Sequence, residues 1–144
     1  MSKGPYTKPG RLADVLALIQ VLALDPDTRR SIDGITKELQ GSPTSAKDWL
    51  EVAKEHREFF RVDSGSGHPL SLVARYVLPY GDEAKRPQLP TDFTSQLLQT
   101  AITLHDRQVA ASEWWWKTLI PIASTVLGGI LALAGVWLTN HSPK

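Results

Sequence analysis

The feature that most constrains this chain is a run of twenty consecutive uncharged residues, from Leu119 to Leu138, close to the C-terminus. At about 1.5 Å of rise per residue, a helix over this run is about 30 Å long, which matches the hydrocarbon core of a bilayer. The alternative is a buried helix of a soluble protein, but the rest of this 144-residue chain offers little apolar surface to surround one. We therefore predict a transmembrane helix over residues 117–139, followed by a short tail at residues 140–144.

Aromatic side chains at both ends of the predicted span support this interpretation. Tryptophan rings are amphipathic and favour the headgroup region of a bilayer, and a lysine at the same level can extend its charged end toward water. The predicted membrane-interface residues are Trp114, Trp115, Trp116, Lys117 and Trp137.

The N-terminal part of the chain is expected to lie in the cytosol. The apolar run from Leu12 to Leu24 could be read as a secretory signal, but Asp14 and Gln20 interrupt it and no small-x-small cleavage site follows. A span at the C-terminal end then leaves the preceding residues on the cytosolic side, where Arg107 also lies. The sequence thus predicts a single-pass, tail-anchored membrane protein.

The charge balance and the lack of cysteine limit the possible functions. Lys and Arg number 16 against 15 Asp and Glu, so the net charge of +1 provides no overall attraction to nucleic acid or anionic lipid. The absence of cysteine excludes disulfides, thiolate nucleophiles and Cys-ligated zinc.

Three helices are predicted after a flexible tail at residues 1–10. The first covers Arg11 to Leu24, where apolar residues recur at helical spacing before Pro26. The second starts at Ser31 as N-cap, and the third is opened by a capping box in which Ser45 is the N-cap. We expect the third helix to bury one face that runs from Trp49 to Phe59 or Phe60.

A hairpin is predicted after the third helix. Arg61 to Asp63 forms a short strand, a Gly-rich turn follows, and Leu70 to Leu78 alternates as a returning strand would. Three helices and a hairpin follow the order of a winged-helix domain, and EHREFFRV, the Gly-rich turn and SLVARYV resemble that family's passage from helix three to the wing. The resemblance implies a small α+β domain over residues 11–80 within a mainly α chain.

A helical stalk is predicted to connect this domain to the span. Residues 81–91 form a linker, and residues 92–116 form an amphipathic helix with two apolar stripes. In a monomer these stripes have no obvious cover, so we expect them to pair between chains. The alternative is that the stalk folds back on its own domain, which Pro87 and Pro90 permit. The stalk-association residues are Leu97, Leu98, Ile102 and Leu104.

The span carries a stripe of small residues that predicts association of helices in the bilayer. Small side chains at spacings of three and four let two helix backbones approach closely, although such residues are also common in spans generally. The helix-association residues are Ser124, Gly128, Ala132 and Gly135. Together with the stalk, they predict a homo-oligomer.

No catalytic, cofactor-binding or metal-binding residue is predicted, and the protein is interpreted as a non-enzyme. His56, His68, His105 and His141 lack the spacing of metal ligands, and His56 is expected at the edge of the core. The Gly-x-Gly in the hairpin turn precedes a strand, so it does not match a phosphate-binding loop, which leads into a helix.

The leading functional hypothesis is a membrane-anchored interaction or sensing subunit with an unidentified cytosolic or membrane protein as partner. Nucleic acid is the less favoured partner, because the third helix carries Lys47, Lys54 and Arg57 against Asp48, Glu51, Glu55 and Glu58. The alternatives are a membrane-tethered DNA-binding regulator and a membrane-perturbing effector of a defence or toxin system.

Membrane attachment is predicted to depend on the span alone, so Leu127→Arg should release the protein from membranes. Each Leu, Ile or Val near the centre of a span contributes about −0.3 to −0.6 kcal/mol to insertion, whereas an Arg there costs about +2.5 to +3.5 kcal/mol. The measurement is fractionation after a carbonate wash. A variant that stays with the membranes would show that the stalk or the domain over residues 11–80, which we call the head, also binds lipid.

Overall fold

The computed structural model describes residues 4–79 and 86–112 of the chain. These residues form a mixed α+β structure with a small three-stranded sheet, and more of them lie in helices than in strands. The first compact unit ends at Gln108, and of the second unit only residues 109–112 are described, all of them helical.

Helix α1 extends over Arg11–Leu24, as the sequence predicts. Its buried apolar face includes Val15, Leu18, Ile19 and Leu22, and these side chains form the centre of the core. The helix ends at Leu24 because Asp25 has an extended backbone and Pro26, which follows, cannot continue the helical hydrogen bonds.

The buried carboxylate of Asp14 fastens the loop before the third helix to α1. It accepts hydrogen bonds from the backbone N–H groups of Thr44 (3.0 Å) and Ser45 (2.8 Å) and from both hydroxyls. Burial raises the pKa of Asp14, but the bonds from Ser45 and Thr44 outweigh it and leave the pKa below its usual value. Ser45, which we expected to cap the third helix, therefore donates its hydrogen bonds to the Asp14 carboxylate of α1.

Two short helices follow, each with a capping side chain. In α2, Ile32–Glu38, the hydroxyl of Ser31 accepts the N–H of Gly34 at 3.1 Å, which confirms the predicted N-cap. In α3, Trp49–Glu55, the cap is Asp48 and not Ser45, since the Asp48 carboxylate accepts the N–H of Glu51 at 2.8 Å.

Helix α3 also ends earlier than predicted. At His56 the backbone leaves the helical region, with φ −122° and ψ 57°, so Phe59 and Phe60 lie in the following turn and strand. Both aromatic rings are nevertheless buried, as is Trp49, whose indole N–H donates to the carbonyl of Gly41 at 3.0 Å.

The sheet has the order β1–β3–β2, with β1 at Arg29–Arg30, β2 at Phe60–Val62 and β3 at Leu70–Leu72. Both neighbours pair antiparallel with β3, and the register places Arg61 opposite Ser71 and Val62 opposite Leu70. Strand β1 is an addition to the predicted hairpin, because two consecutive arginines carry no alternation from which a strand could be recognised.

The predicted returning strand is wrong beyond Leu72. Val73–Tyr76 forms a 3-10 helix, and the alternation of a strand ends there. Arg75 is fully buried, and its guanidinium donates to the carbonyls of Asp25 (2.6 Å) and Asp27 (2.8 Å) just past α1. These bonds require a turn in the backbone that a continuing strand does not supply.

Residues 91–112 are helical, and we call the part within the first unit, residues 91–108, α4. Its buried Thr94 and Ala101 face the domain, and the leucines packed against the core are Leu97, Leu98 and Leu104. The expectation that a monomer leaves these three leucines uncovered is therefore wrong, and the fold-back alternative describes α4. Ile102, the fourth predicted residue, is half-exposed and is not among the side chains packed on the core.

The N-terminal residues also belong to the domain, although the sequence suggests a flexible tail. Pro5–Thr7 forms a 3-10 helix, and Tyr6 is only 2% exposed. The backbone N–H of Tyr6 donates to the side-chain oxygen of Gln108 at 3.3 Å, so the start of the described chain contacts the end of α4. An anchoring tyrosine in a segment rich in Gly and Pro gives no periodic signal from which this contact could be predicted.

The contact between the N-terminal segment and α4 predicts an intramolecular disulfide in the double variant Gly4→Cys/Gln108→Cys. A Cβ added at Gly4 would lie 3.6 Å from Cγ of Gln108, which is about where the sulfur of a cysteine at position 108 would lie, so a sulfur on the added Cβ could reach it. Oxidised full-length protein should run as a monomer on a non-reducing gel, with both thiols consumed. Gln108→Cys alone is the control; a dimer band with free thiols inside each chain would contradict the packing of α4.

Candidate protein-contact surface

An open groove of about 390 Å³ lies where α3 gives way to β2. Its lining combines three cationic side chains with apolar ones and contains no carboxylate. The lining residues are Lys54, Arg57, Phe60, Arg61, Val62, Ser64 and Val73. We call this feature the basic groove.

Local chain geometry brings the three cations together. Lys54 lies in the last turn of α3, Arg57 follows in the reversal after it, and Arg61 is the central residue of β2. All three are exposed, and within residues 4–79 and 86–112 none of them forms a salt bridge. Their charges are thus available to a ligand.

An aromatic side chain supports Arg61 without neutralising it. The Arg61 guanidinium carbon lies 5.2 Å from the ring centroid of Tyr76, and that of Arg86 lies 4.6 Å from the same centroid. Cation–π contacts of this kind are attractive but leave the positive charge in place. Arg61 is therefore held at the groove with its charge intact.

The acidic residues around α3 face other partners. Glu55 receives hydrogen bonds from Lys8 (2.6 and 2.9 Å) and pairs with buried Arg11 at 2.9 Å, and Glu51 lies 4.0 Å from Lys8. Burial raises the pKa of Glu55, but the bond from Lys8 and the charge of Arg11 outweigh it and leave the pKa lowered.

Asp48 caps α3, and Glu58 contacts Tyr6 and His56, so these two carboxylates also have partners of their own. The balance of charge in this part of the sequence therefore hides a spatial separation. No periodic signal in the sequence marks the three cations, because Lys54, Arg57 and Arg61 lie in a helix, a reversal and a strand.

A polar cluster at the end of α3 joins buried Tyr6 and His56 to the exposed Glu58. The carboxylate of Glu58 accepts the hydroxyl of Tyr6 at 3.1 Å and lies 3.0 Å from Nδ1 of His56, while the Tyr6 and His56 rings are 4.3 Å apart. Burial lowers the pKa of His56 against the opposing effect of Glu58, and burial together with Glu58 raises the pKa of Tyr6. This cluster pins the N-terminal segment to α3.

His56 has the position expected from the sequence, inside the edge of the core, although it caps α3 instead of lying within it. Its Nε2 is buried and has no hydrogen-bond partner in the described part of the chain. Among those residues no group of three or more His, Asp or Glu is arranged to hold a metal ion.

The buried state of His56 predicts a loss of stability in mild acid. In the unfolded chain, the His56 imidazole takes up a proton near pH 6.5, whereas burial lowers its pKa in the folded chain. The free energy of unfolding therefore falls as the pH falls below about 6.5. Between pH 7.0 and 5.5 the loss is at most about 1 kcal/mol, the limit for a histidine that stays neutral throughout in the folded chain. The carboxylates of Asp14 and Glu55, whose pKa values are lowered, titrate below this window.

Urea denaturation of the full-length protein in neutral detergent at both pH values measures the effect. His56→Gln, which cannot titrate, is the matched control and should show a smaller difference between the two pH values. An equal difference in both proteins would assign the pH dependence to another group.

The remaining predicted site residues lie outside the described residues. They are the membrane-interface residues Trp114, Trp115, Trp116, Lys117 and Trp137 and the helix-association residues Ser124, Gly128, Ala132 and Gly135. Within residues 4–79 and 86–112, no helix has the length and apolar character needed to cross a bilayer. No protein-family model matches this chain, and no curated protein or solved structure shows significant similarity to it.

Proposed function

We propose that this protein is a membrane-anchored interaction or sensing subunit whose folded head offers the basic groove to a protein partner. The observation that carries the proposal is the separation of charge around α3, which leaves Lys54, Arg57 and Arg61 without carboxylate partners in the described residues. Unpaired cations beside apolar side chains are the composition of a recognition surface. The span predicted at residues 117–139 supplies the anchor.

The arrangement of the head supports the winged-helix-like interpretation. Helices α1, α2 and α3 precede the β2–β3 hairpin, and β1, which follows α1, adds to the same sheet. A fold of this kind serves several functions, so the choice of partner has to come from the surface. The surface here is a groove beside α3, and we assign it to binding and not to catalysis.

Self-association is proposed through the predicted span and not through the stalk. Leu97, Leu98 and Leu104 are covered by their own domain, which removes the reason to pair them between chains. The stripe that contains Gly128 remains, because small residues allow close helix packing in lipid. A Gly128→Cys variant should form disulfide-linked dimers in membranes; a purely monomeric product would remove this part of the proposal.

A membrane-tethered regulator that binds DNA is the second candidate, since the same three cations could contact phosphates. The number of available cations argues against it. Each neutralised phosphate adds to the affinity and to its salt dependence, and strongly salt-dependent DNA binding involves about 6 to 10 such contacts. Lys54, Arg57 and Arg61 supply fewer than that.

The test compares partners captured by cross-linking in cells that express full-length protein, followed by purification in mild detergent. The variants are the wild type, Arg57→Glu/Arg61→Glu and the control Lys37→Glu, which changes an exposed lysine of α2. We expect the same protein with the wild type and the control, and its loss with the double variant. Capture that is equal in all three, or only nuclease-sensitive material, would contradict the proposed function.

A further inference from the structure

We infer that the basic groove binds an acidic, extended segment of a partner protein, which adds as a strand to the open edge of β2. This inference rests on the proposed function and names the kind of partner. It joins two independent properties of one place in the fold, the unpaired edge of a strand and an unneutralised group of cations.

Strand β2 is an edge strand in the described sheet, because its only strand neighbour there is β3. The N–H of Asp63 donates to Pro69 at 2.8 Å, and the carbonyl of Phe59 accepts from Val73 at 2.8 Å, so residues 59 and 63 turn their backbone groups toward β3. In an antiparallel pair this direction alternates along the strand. Phe60 and Val62 therefore turn theirs outward.

The outward backbone groups leave room for a ligand. The N–H of Phe60 donates to the carbonyl of His56 at 3.0 Å, which closes the strand where α3 ends. The N–H of Val62 also turns away from β3, and it donates to no backbone carbonyl of the described residues that lie outside the sheet. Peptides commonly bind exposed edges of this kind through main-chain hydrogen bonds, while alternate side chains enter the pockets beside them.

The groove beside this edge selects the side chains of such a peptide. Val62, which is half-buried, and Val73, which is 38% exposed, provide apolar surface, and the buried ring of Phe60 lies beside them in the lining. Lys54 and Arg57 approach from the end of α3, and Arg61 is the exposed residue of β2 itself. A segment in which acidic residues alternate with apolar ones places its carboxylates near the cations and its apolar side chains against the valines.

The surroundings favour a peptide over a polyphosphate chain. The hairpin turn over residues 64–69 contains no Lys or Arg. Arg29 pairs with Asp63 at the end of β2 at 2.9 Å, so it is not an additional unpaired cation beside the groove. A nucleic acid that extended beyond the groove toward the hairpin turn would find no further unpaired cation there, and its backbone could not use the hydrogen bonds of the strand edge.

The probe is a short fluorescent peptide of alternating Glu and Val, titrated by fluorescence polarisation against full-length protein in zwitterionic nanodiscs at about 0.15 M salt. N-methylation of alternate amides preserves charge but blocks strand addition, so at least one of the two N-methylated registers should bind about tenfold more weakly or worse. A peptide of alternating Lys and Val should not bind. Equal binding of both N-methylated peptides and the parent would overturn strand addition.

Variants of the protein locate the site. Arg57→Gln and Arg61→Gln should each weaken binding about three- to tenfold, whereas Lys37→Gln, the matched control, should leave it unchanged. Val62→Pro should weaken binding more than Val62→Ala, because both variants lose the packing of the valine side chain but only the proline removes the outward N–H. Unchanged affinity in the two arginine variants would place the peptide elsewhere and overturn the inference.

Competition separates the other classes of ligand from the proposed one. A DNA or RNA oligonucleotide that displaces the peptide at lower concentration than unlabelled peptide, or tighter binding to anionic lipid nanodiscs, would overturn the assignment to an acidic peptide. If the peptide fails to bind while Arg57→Glu/Arg61→Glu still loses its cross-linked protein partner, the proposed function stands and strand addition falls. If both experiments fail, both proposals fall.

Discussion

The buried guanidinium of Arg75 holds together parts of the chain that are distant in sequence. It donates to the carbonyls of Asp25 and Asp27 and, at 2.8 Å, to that of Arg86. The end of a helix presents unpaired carbonyls with partial negative charge, so a cation there is favourable even though burial lowers its pKa. The contact also fixes where the chain returns, because the N–H of Leu89 then donates to Ala23 of α1 and α4 starts two residues later.

Other polar contacts explain how a protein with a net charge of only +1 has a groove lined by cations. Arg11 and Lys8 attract the glutamates of α3 toward the N-terminal segment, and Tyr6 and His56 engage Glu58. Each of these contacts contributes to the packing of residues that precede α1 or follow α3. With these carboxylates engaged elsewhere, the basic groove is lined by three cations and no carboxylate, a property that no count of charges along the chain can reveal.

How much could be predicted from the sequence depends on whether the deciding signal is local. Helix α1 and the cap at Ser31 were predictable, because apolar spacing and one hydroxyl determine them. Strand β1 and the 3-10 helix around Arg75 were not, since both depend on partners about 40 or more residues away in sequence. The packing of α4 on its own domain was given only as the alternative to pairing between chains, because it too depends on partners distant in sequence. The groove escaped prediction because it forms only when α3 ends early at Glu55 and the chain reverses.

The position of Asp14 has a consequence for the order in which the domain can form. In the folded domain its carboxylate receives hydrogen bonds from the backbone of Thr44 and Ser45, about thirty residues later in synthesis. A buried carboxylate without such partners is unfavourable, so we expect α1 to bury this end only once that loop is available. One side chain therefore couples the packing of the first helix to a segment that leaves the ribosome much later.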